Sequence, residues 1–131
     1  KDTEKIKFMQ DNANNLKPIY TGYDLIIAPC ILEELSCPKQ FLAGIHQRIN
    51  EGGYLIIASD YDWERNHIKP ECRPGGFKKD GEPMTSLDGI GESLSAHFSF
   101  EGNPSNLFKY EWLNSRKQLQ RICEVTIWRK K

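Results

Sequence analysis

The sequence predicts an α/β fold built on a parallel sheet, and three stretches carry that prediction. Residues 23–28 (Y-D-L-I-I-A) and 54–59 (Y-L-I-I-A-S) hold consecutive rather than alternating apolar residues, the pattern of strands covered on both faces. Between them Phe41, Leu42, Ile45 and Ile49 recur at the i, i+3/i+4 spacing that gives a helix one apolar stripe. Strand, helix and strand over about 35 residues make a βαβ unit, with a right-handed crossover expected.

The other elements follow in order. Residues 5–10 (K-I-K-F-M-Q) alternate weakly and read as a short strand, ended by the turn-forming D-N-A-N-N-L. Residues 17–22 connect to the first apolar strand, which Pro29 stops, and Ile31, Leu32 and Leu35 mark a short helical turn. Pro38 opens the crossover helix, because proline is tolerated in a first turn. Arg48 and residues 50–53, with Gly52 and Gly53 able to take a left-handed cap, close it. Residues 64–83 carry Pro70, Pro74, Pro83, Gly75, Gly76 and Gly81 and read as one long loop. Thr85 or Ser86 caps a helix reaching residue 95, with Leu87, Ile90 and Leu94 facing inward. Residues 97–102 form a short strand, 103–106 a turn, and 107–113 with 124–129 a terminal antiparallel hairpin.

Composition narrows the function. The 131 residues suit one domain able to bury a core, with 38% hydrophobic residues. Eighteen basic and 18 acidic side chains cancel, leaving no field to draw nucleic acid or an anionic membrane, so neither is an expected partner. No apolar run approaches the roughly 20 residues of a membrane span. The opening K-D-T-E-K is hydrophilic, with no signal peptide visible, and a first residue other than Met reads as a processed, trimmed or partial product. Cys30, Cys37, Cys72 and Cys123 show neither C-x-x-C spacing nor a histidine at zinc distance. Free thiols in a reducing, cytoplasmic compartment and no metal site are expected.

Ligands of open α/β sheets sit beyond the carboxyl ends of the strands. That rule draws attention to Ser59, Asp60, Tyr61, Asp62 and Trp63, where two carboxylates, a phenol and an indole crowd past a buried strand. A solvated turn anchored by its tryptophan is the alternative.

The order of these elements resembles a class I S-adenosylmethionine-dependent methyltransferase, entered at its third strand. D-N-A (Asp11, Asn12, Ala13) stands where that family holds the adenine, a side-chain acceptor taking the exocyclic amine. A-P-C-I-L-E-E-L, with Ala28 and Cys30, stands where it lines the methionine end of the cofactor; Cys30 departs from the small or amide residue usual there and also reads as a buried, space-filling thiol. S-D-Y-D-W, G-G-F-K-K-D-G-E-P-M-T-S-L-D-G and E-V-T-I-W-R-K together are similar to the C-terminal mercaptohistidine methyltransferase domain of the ovothiol-biosynthesis enzyme, over most of residues 52–129.

The resemblance implies methyl transfer from S-adenosylmethionine to an imidazole nitrogen of 5-mercaptohistidine. A neutral imidazole nitrogen is already a nucleophile, so alignment with the methyl–sulfur axis is the main task and supplies about 7–11 kcal/mol. Asp60, Tyr61 and Asp62 are the candidates for fixing the tautomer or taking the ring proton. Trp63 would wall the sulfonium, and His67, Phe77, Lys78 and Glu82 would hold the amino-acid substrate. Two other readings stay open: a methyltransferase for another small substrate, and a non-catalytic methyltransferase-like module for dimerisation or scaffolding.

The family's glycine-rich turn and its first two strands have no counterpart here, since Gly52-Gly53 precedes a strand instead of following one. The expected architecture is therefore a truncated Rossmann-like sheet, residues 1–131 forming one partial domain, whose open edge a second copy of the chain could fill.

Overall fold

The computed structural model describes residues 5–131. Its centre is a four-stranded mixed sheet. β1 (Tyr23–Pro29) and β2 (Ile49–Ser59) run parallel, joined by helix α1 (Pro38–Gly44) and a 3-10 turn (Ile45–Arg48). β5 (Phe98–Asn114) and β6 (Lys117–Lys130) form an antiparallel hairpin, and β6 pairs with β2 to give the order β1–β2–β6–β5. A separate two-stranded ribbon, β3 (Phe77–Lys79) with β4 (Glu82–Met84), precedes helix α2 (Ser86–Leu94).

The apolar runs fall where the unbroken pattern placed them. Leu55 and Ile57 of β2 are fully buried and meet Leu32, Leu42, Ile90, Leu94, Phe98 and Trp128 in one core. Each such side chain contributes about 1.5–3 kcal/mol by leaving water. Thr85 caps α2, its Oγ1 accepting the Asp88 N–H at 3.1 Å. α2 lies against the 74–75 segment without room for a side chain: a Cβ on Gly89 would sit 1.4 Å from the Pro74 carbonyl oxygen.

Several expectations are corrected. Residues 6–10 form no strand, and Phe8 stands almost fully exposed. β2 begins at Ile49, not at Tyr54, because residues 49–53 extend it and Gly53 admits the Asp24 carbonyl within 2.9 Å of where a Cβ would be. The loop of residues 64–83 contains the start of the β3–β4 ribbon. The separate strands at 97–102 and 107–113 are one strand, β5, which crosses the proposed turn by a register shift between Glu101 and Ser105, with Gly102 at φ 67°. Cys37 and Cys72 form a disulfide, so only Cys30 and Cys123 are free thiols, and the cysteines no longer argue for a reducing compartment. No described helix is long and apolar enough to cross a membrane.

β1 lies at the sheet's edge, with no strand on its outer side among the described residues. Tyr23, Leu25 and Ile27 are exposed there, at 42%, 50% and 57%.

Candidate functional site

The carboxyl ends of β1 and β2 lie side by side, and just past each the chain enters the left-handed region at a non-glycine residue: Cys30 (φ 55°) and Tyr61 (φ 58°). Such conformations cost about 1–3 kcal/mol and persist where neighbours over-determine them. The Cys30 N–H donates to Ala58 O at 2.7 Å, and the Tyr61 N–H to Ser59 Oγ at 3.1 Å. Ser59 in turn donates its hydroxyl to Glu33 Oε2 at 2.7 Å, inside the protein. Glu33 is 1% exposed, and burial raises its pKa despite the opposing pull of the Ser59 hydroxyl.

The three candidate catalytic residues divide. Asp60 Oδ2 accepts from Arg65 at 3.1 Å and from Arg121 at 3.4 Å, while its Oδ1 accepts the Asp62 N–H at 3.0 Å. Burial alone would raise its pKa, but the Asp62 amide and the two guanidiniums hold it below the usual carboxylate range. A carboxylate so stabilised as an anion is a weak base. The Tyr61 hydroxyl donates to Glu124 Oε1 at 2.7 Å, and burial followed by that carboxylate pushes its pKa far up. Both side chains brace the site. Asp62, with a 39% exposed side chain 3.4 Å from Arg65, is far more open to solvent than Asp60 at 9%.

Trp63, expected to wall the sulfonium, is a core residue at 3% exposure whose Nε1–H donates to Ser86 Oγ at 2.9 Å. His67 is exposed at φ 53° in a turn closed by its N–H to Glu64 O. Phe77 lines a cavity of about 440 Å³ between the ribbon and the two helices, with Lys39, Ala43 and Glu92. Lys78 borders a second hollow with Gly76 and Pro83, and Glu82 is exposed on β4. Neither cavity contains Asp60, Tyr61 or Asp62, so the ribbon and the D-Y-D-W tip are not brought into one pocket.

The cofactor candidates are gathered more closely. Asp11, Ala13 and Ala28 line a cavity of about 360 Å³ along the open edge of β1, together with Tyr20, Ile31 and Arg48. Asn12 is absent from its lining; its Oδ1 accepts the Asn14 N–H at 3.0 Å, a local turn. The Asp11 carboxylate accepts the Asn12 N–H at 2.8 Å and the Lys17 N–H at 3.2 Å, which lower its pKa. Cys30 also lies off this cavity, its sulfur 3.5 Å from that of Cys123.

Two residues that fix this loop carry little mark in the sequence. Asn14 bonds Cys37 through both its oxygen and its amide, tying the D-N-A loop to the start of α1. Arg48 donates to the carbonyls of Leu16, Lys17 and Tyr20. An Asx turn in D-N-A-N-N was readable for Asn14, but nothing marked Arg48 as more than a helix-end cation. Glu33, Arg65 and Arg121 were equally hidden, because each depends on a partner more than 20 residues away or across the sheet. Among the described residues no group of three His, Cys, Asp or Glu side chains is placed to hold a metal ion.

No protein-family model and no curated protein matches the sequence. Solved structures do match its fold. A structure described under the conversion of a disulfide bond into a thioacetal group during echinomycin biosynthesis superposes with TM-score 0.64 at 11% identity, over 99% of this chain and 59% of that one. The N-methyltransferase NodS of Bradyrhizobium japonicum, in complex with S-adenosyl-L-homocysteine, matches with TM-score 0.53 at 13% identity, over 92% of this chain and 52% of its own. A S-adenosylmethionine-dependent methyltransferase of Methanosarcina mazei matches with TM-score 0.53 at 14% identity, over 92% and 65%. The chain thus has a methyltransferase-like α/β fold and spans between about half and two thirds of these structures.

Proposed function

We propose that this chain is part of an S-adenosylmethionine-dependent methyltransferase whose acceptor is a small amino acid, the imidazole nitrogen of 5-mercaptohistidine. The observation that carries the reading is the cavity on the edge of β1, where Asp11, Ala13 and Ala28 converge from the D-N-A loop and the strand end. A fold shared with methyltransferases, one of them holding S-adenosyl-L-homocysteine, supports the same cofactor.

The adenine would lie against Ala13 with its amine towards Asp11, and the methionine end would run past Ala28 to the ends of β1 and β2. In that arrangement Asp60 and Tyr61 act as positioning residues, and the part-exposed carboxylates of Asp62 and Glu34, which share Arg65, would turn a free oxygen face to the substrate ammonium. The bound cofactor supplies an electrophilic methyl group; the protein aligns the acceptor nitrogen with it. The outer edge of β1 from Tyr23 to Ile27 would pair with a strand from outside the described residues or from a second copy, leaving the Ala28 end of the cavity and the D-N-A loop to the cofactor. The second reading, a non-catalytic module, draws support from the commitment of Asp60 and Tyr61 to internal partners.

The test is methyl transfer by the full-length protein from isotopically labelled S-adenosylmethionine, with 5-mercaptohistidine, histidine and other imidazoles as competing acceptors. Transfer of one methyl group to a ring nitrogen of mercaptohistidine is the expected result. Transfer to a different acceptor alone would overturn the substrate, and binding without any transfer would favour the non-catalytic module.

A further inference from the structure

Two of the four cysteines are already joined, and the other two face each other. Cys30, just past the end of β1, and Cys123, on β6 opposite Leu107, bring their sulfurs to 3.5 Å although 93 residues separate them. Nothing in the methyl-transfer chemistry requires this contact. We propose that Cys30 and Cys123 are a dithiol modification site, which a low-molecular-weight disulfide oxidises to a second, reversible disulfide tying the end of β1 to the base of the β5–β6 hairpin.

The geometry is close to bonded. A disulfide needs its sulfurs at about 2.05 Å, so closure requires the two sulfurs to approach by roughly 1.5 Å. The backbone that must carry the bond is anchored on both sides: Cys30 by its N–H to Ala58 O, and Cys123 by its place in the β5–β6 ladder.

The two thiols have different roles in exchange. Cys30 is half-buried and so the more accessible of the two, whereas Cys123 is fully buried. Burial, then the Cys30 sulfur and the Asp60 and Glu33 carboxylates, pushes the Cys123 thiol up to about 12, so it stays protonated until the second step. The Cys30 thiolate attacks one sulfur of the oxidant, its S–S bond breaks, and one thiolate leaves. Cys123 then attacks the Cys30 sulfur of the mixed disulfide, and the second thiol leaves with the Cys123 proton. Two protein thiols are oxidised and one small disulfide is reduced to two thiols.

Oxidised glutathione is the probe. The chain is incubated with it, its free thiols are alkylated, and the peptides are mapped by mass. The expected result is loss of both alkylatable thiols from the monomer, appearance of a Cys30–Cys123 peptide, and their return on reduction. Cys123→Ser is expected to stop at a glutathione adduct on Cys30, and Cys30→Ser to leave Cys123 unmodified. Wild-type protein that keeps both thiols, or that accumulates the Cys30 adduct without the cross-linked peptide, overturns the proposal. Either result leaves the methyl-transfer reading as it was, because the thiol chemistry does not depend on it.

Discussion

The Tyr61 hydroxyl donates to Glu124 Oε1 at 2.7 Å, joining the loop past β2 to β6 beside the register pair Ser59–Glu124. This bond fixes the side chain of a residue whose backbone is held in the left-handed region. Burial and the Glu124 carboxylate raise the Tyr61 pKa above its ordinary 10.0. A raised folded-state pKa gives stability that is fully present below pH 10 and lost as pH rises beyond it towards the folded value. Tyr61→Phe is expected to cost about 1–3 kcal/mol at neutral pH, because Glu124 loses its donor. The same variant should flatten the alkaline limb of a stability–pH profile, read by denaturant unfolding at pH 8 to 11.

Asp60 is the acidic counterpart. Its pKa is held low in the folded protein, so its contribution is fully present above the ordinary value near 3.8 and lost as pH falls below it towards the lower folded value. Asp60→Asn removes the least exposed carboxylate shared by Arg65 and Arg121, which keep Glu34 and Asp62, and Asp62 and Glu111, respectively, and is expected to cost about 1–2 kcal/mol at pH 7. Unfolding curves from pH 7 to 3 should show the wild type and the variant converging as the acid limb is reached.

Gly89 tests the packing of α2. Gly89→Ala drives a Cβ into the Pro74 carbonyl and is expected to cost about 3 kcal/mol or more. Gly44→Ala, where nothing lies within 4 Å of the added atom, should change stability by about 0.5 kcal/mol or less. Comparable midpoints for the two variants would contradict the close approach of α2 to the 74–75 segment.

The Cys37–Cys72 bridge closes a separation of 35 residues and ties the start of α1 to the segment before the β3–β4 ribbon. Loop-closure entropy of that length corresponds to about 3–4 kcal/mol. The Cys37→Ser/Cys72→Ser double variant is expected to lose most of it, measured as a lower denaturant midpoint with both remaining thiols still titratable.

Local pattern made much of the fold legible. Consecutive apolar residues marked β1 and β2, the Phe41–Leu42–Ile45 stripe marked the crossover, and Thr85 marked the start of α2. What escaped was non-local. Residues 49–53 carry two glycines and polar side chains, and they become strand because Gly53 can sit against the Asp24 carbonyl. The polar 103–106 stretch stays in β5 because β6 runs the length of it and a register shift absorbs the misfit.

The candidate site divides along the same line. Asp11, Ala13 and Ala28 converge as adjacent loop and strand-end residues should, while Trp63 is drawn into the core by an apolar environment and a Ser86 hydroxyl 23 residues away. Arg121, which reaches Asp60 from β6, had no signal in sequence because only the pairing of β6 with β2 brings it near.

The central claim, that the edge of β1 holds S-adenosylmethionine, is tested most directly by an NMR titration of the 131-residue chain with that cofactor, which detects even weak binding. The account predicts saturable amide shifts at Asp11, Ala13, Ala28 and Ile31, with the β3–β4 ribbon and the hairpin tip unmoved. Saturable shifts confined to the β3–β4 ribbon or the hairpin tip, with the β1 edge unmoved, would contradict it.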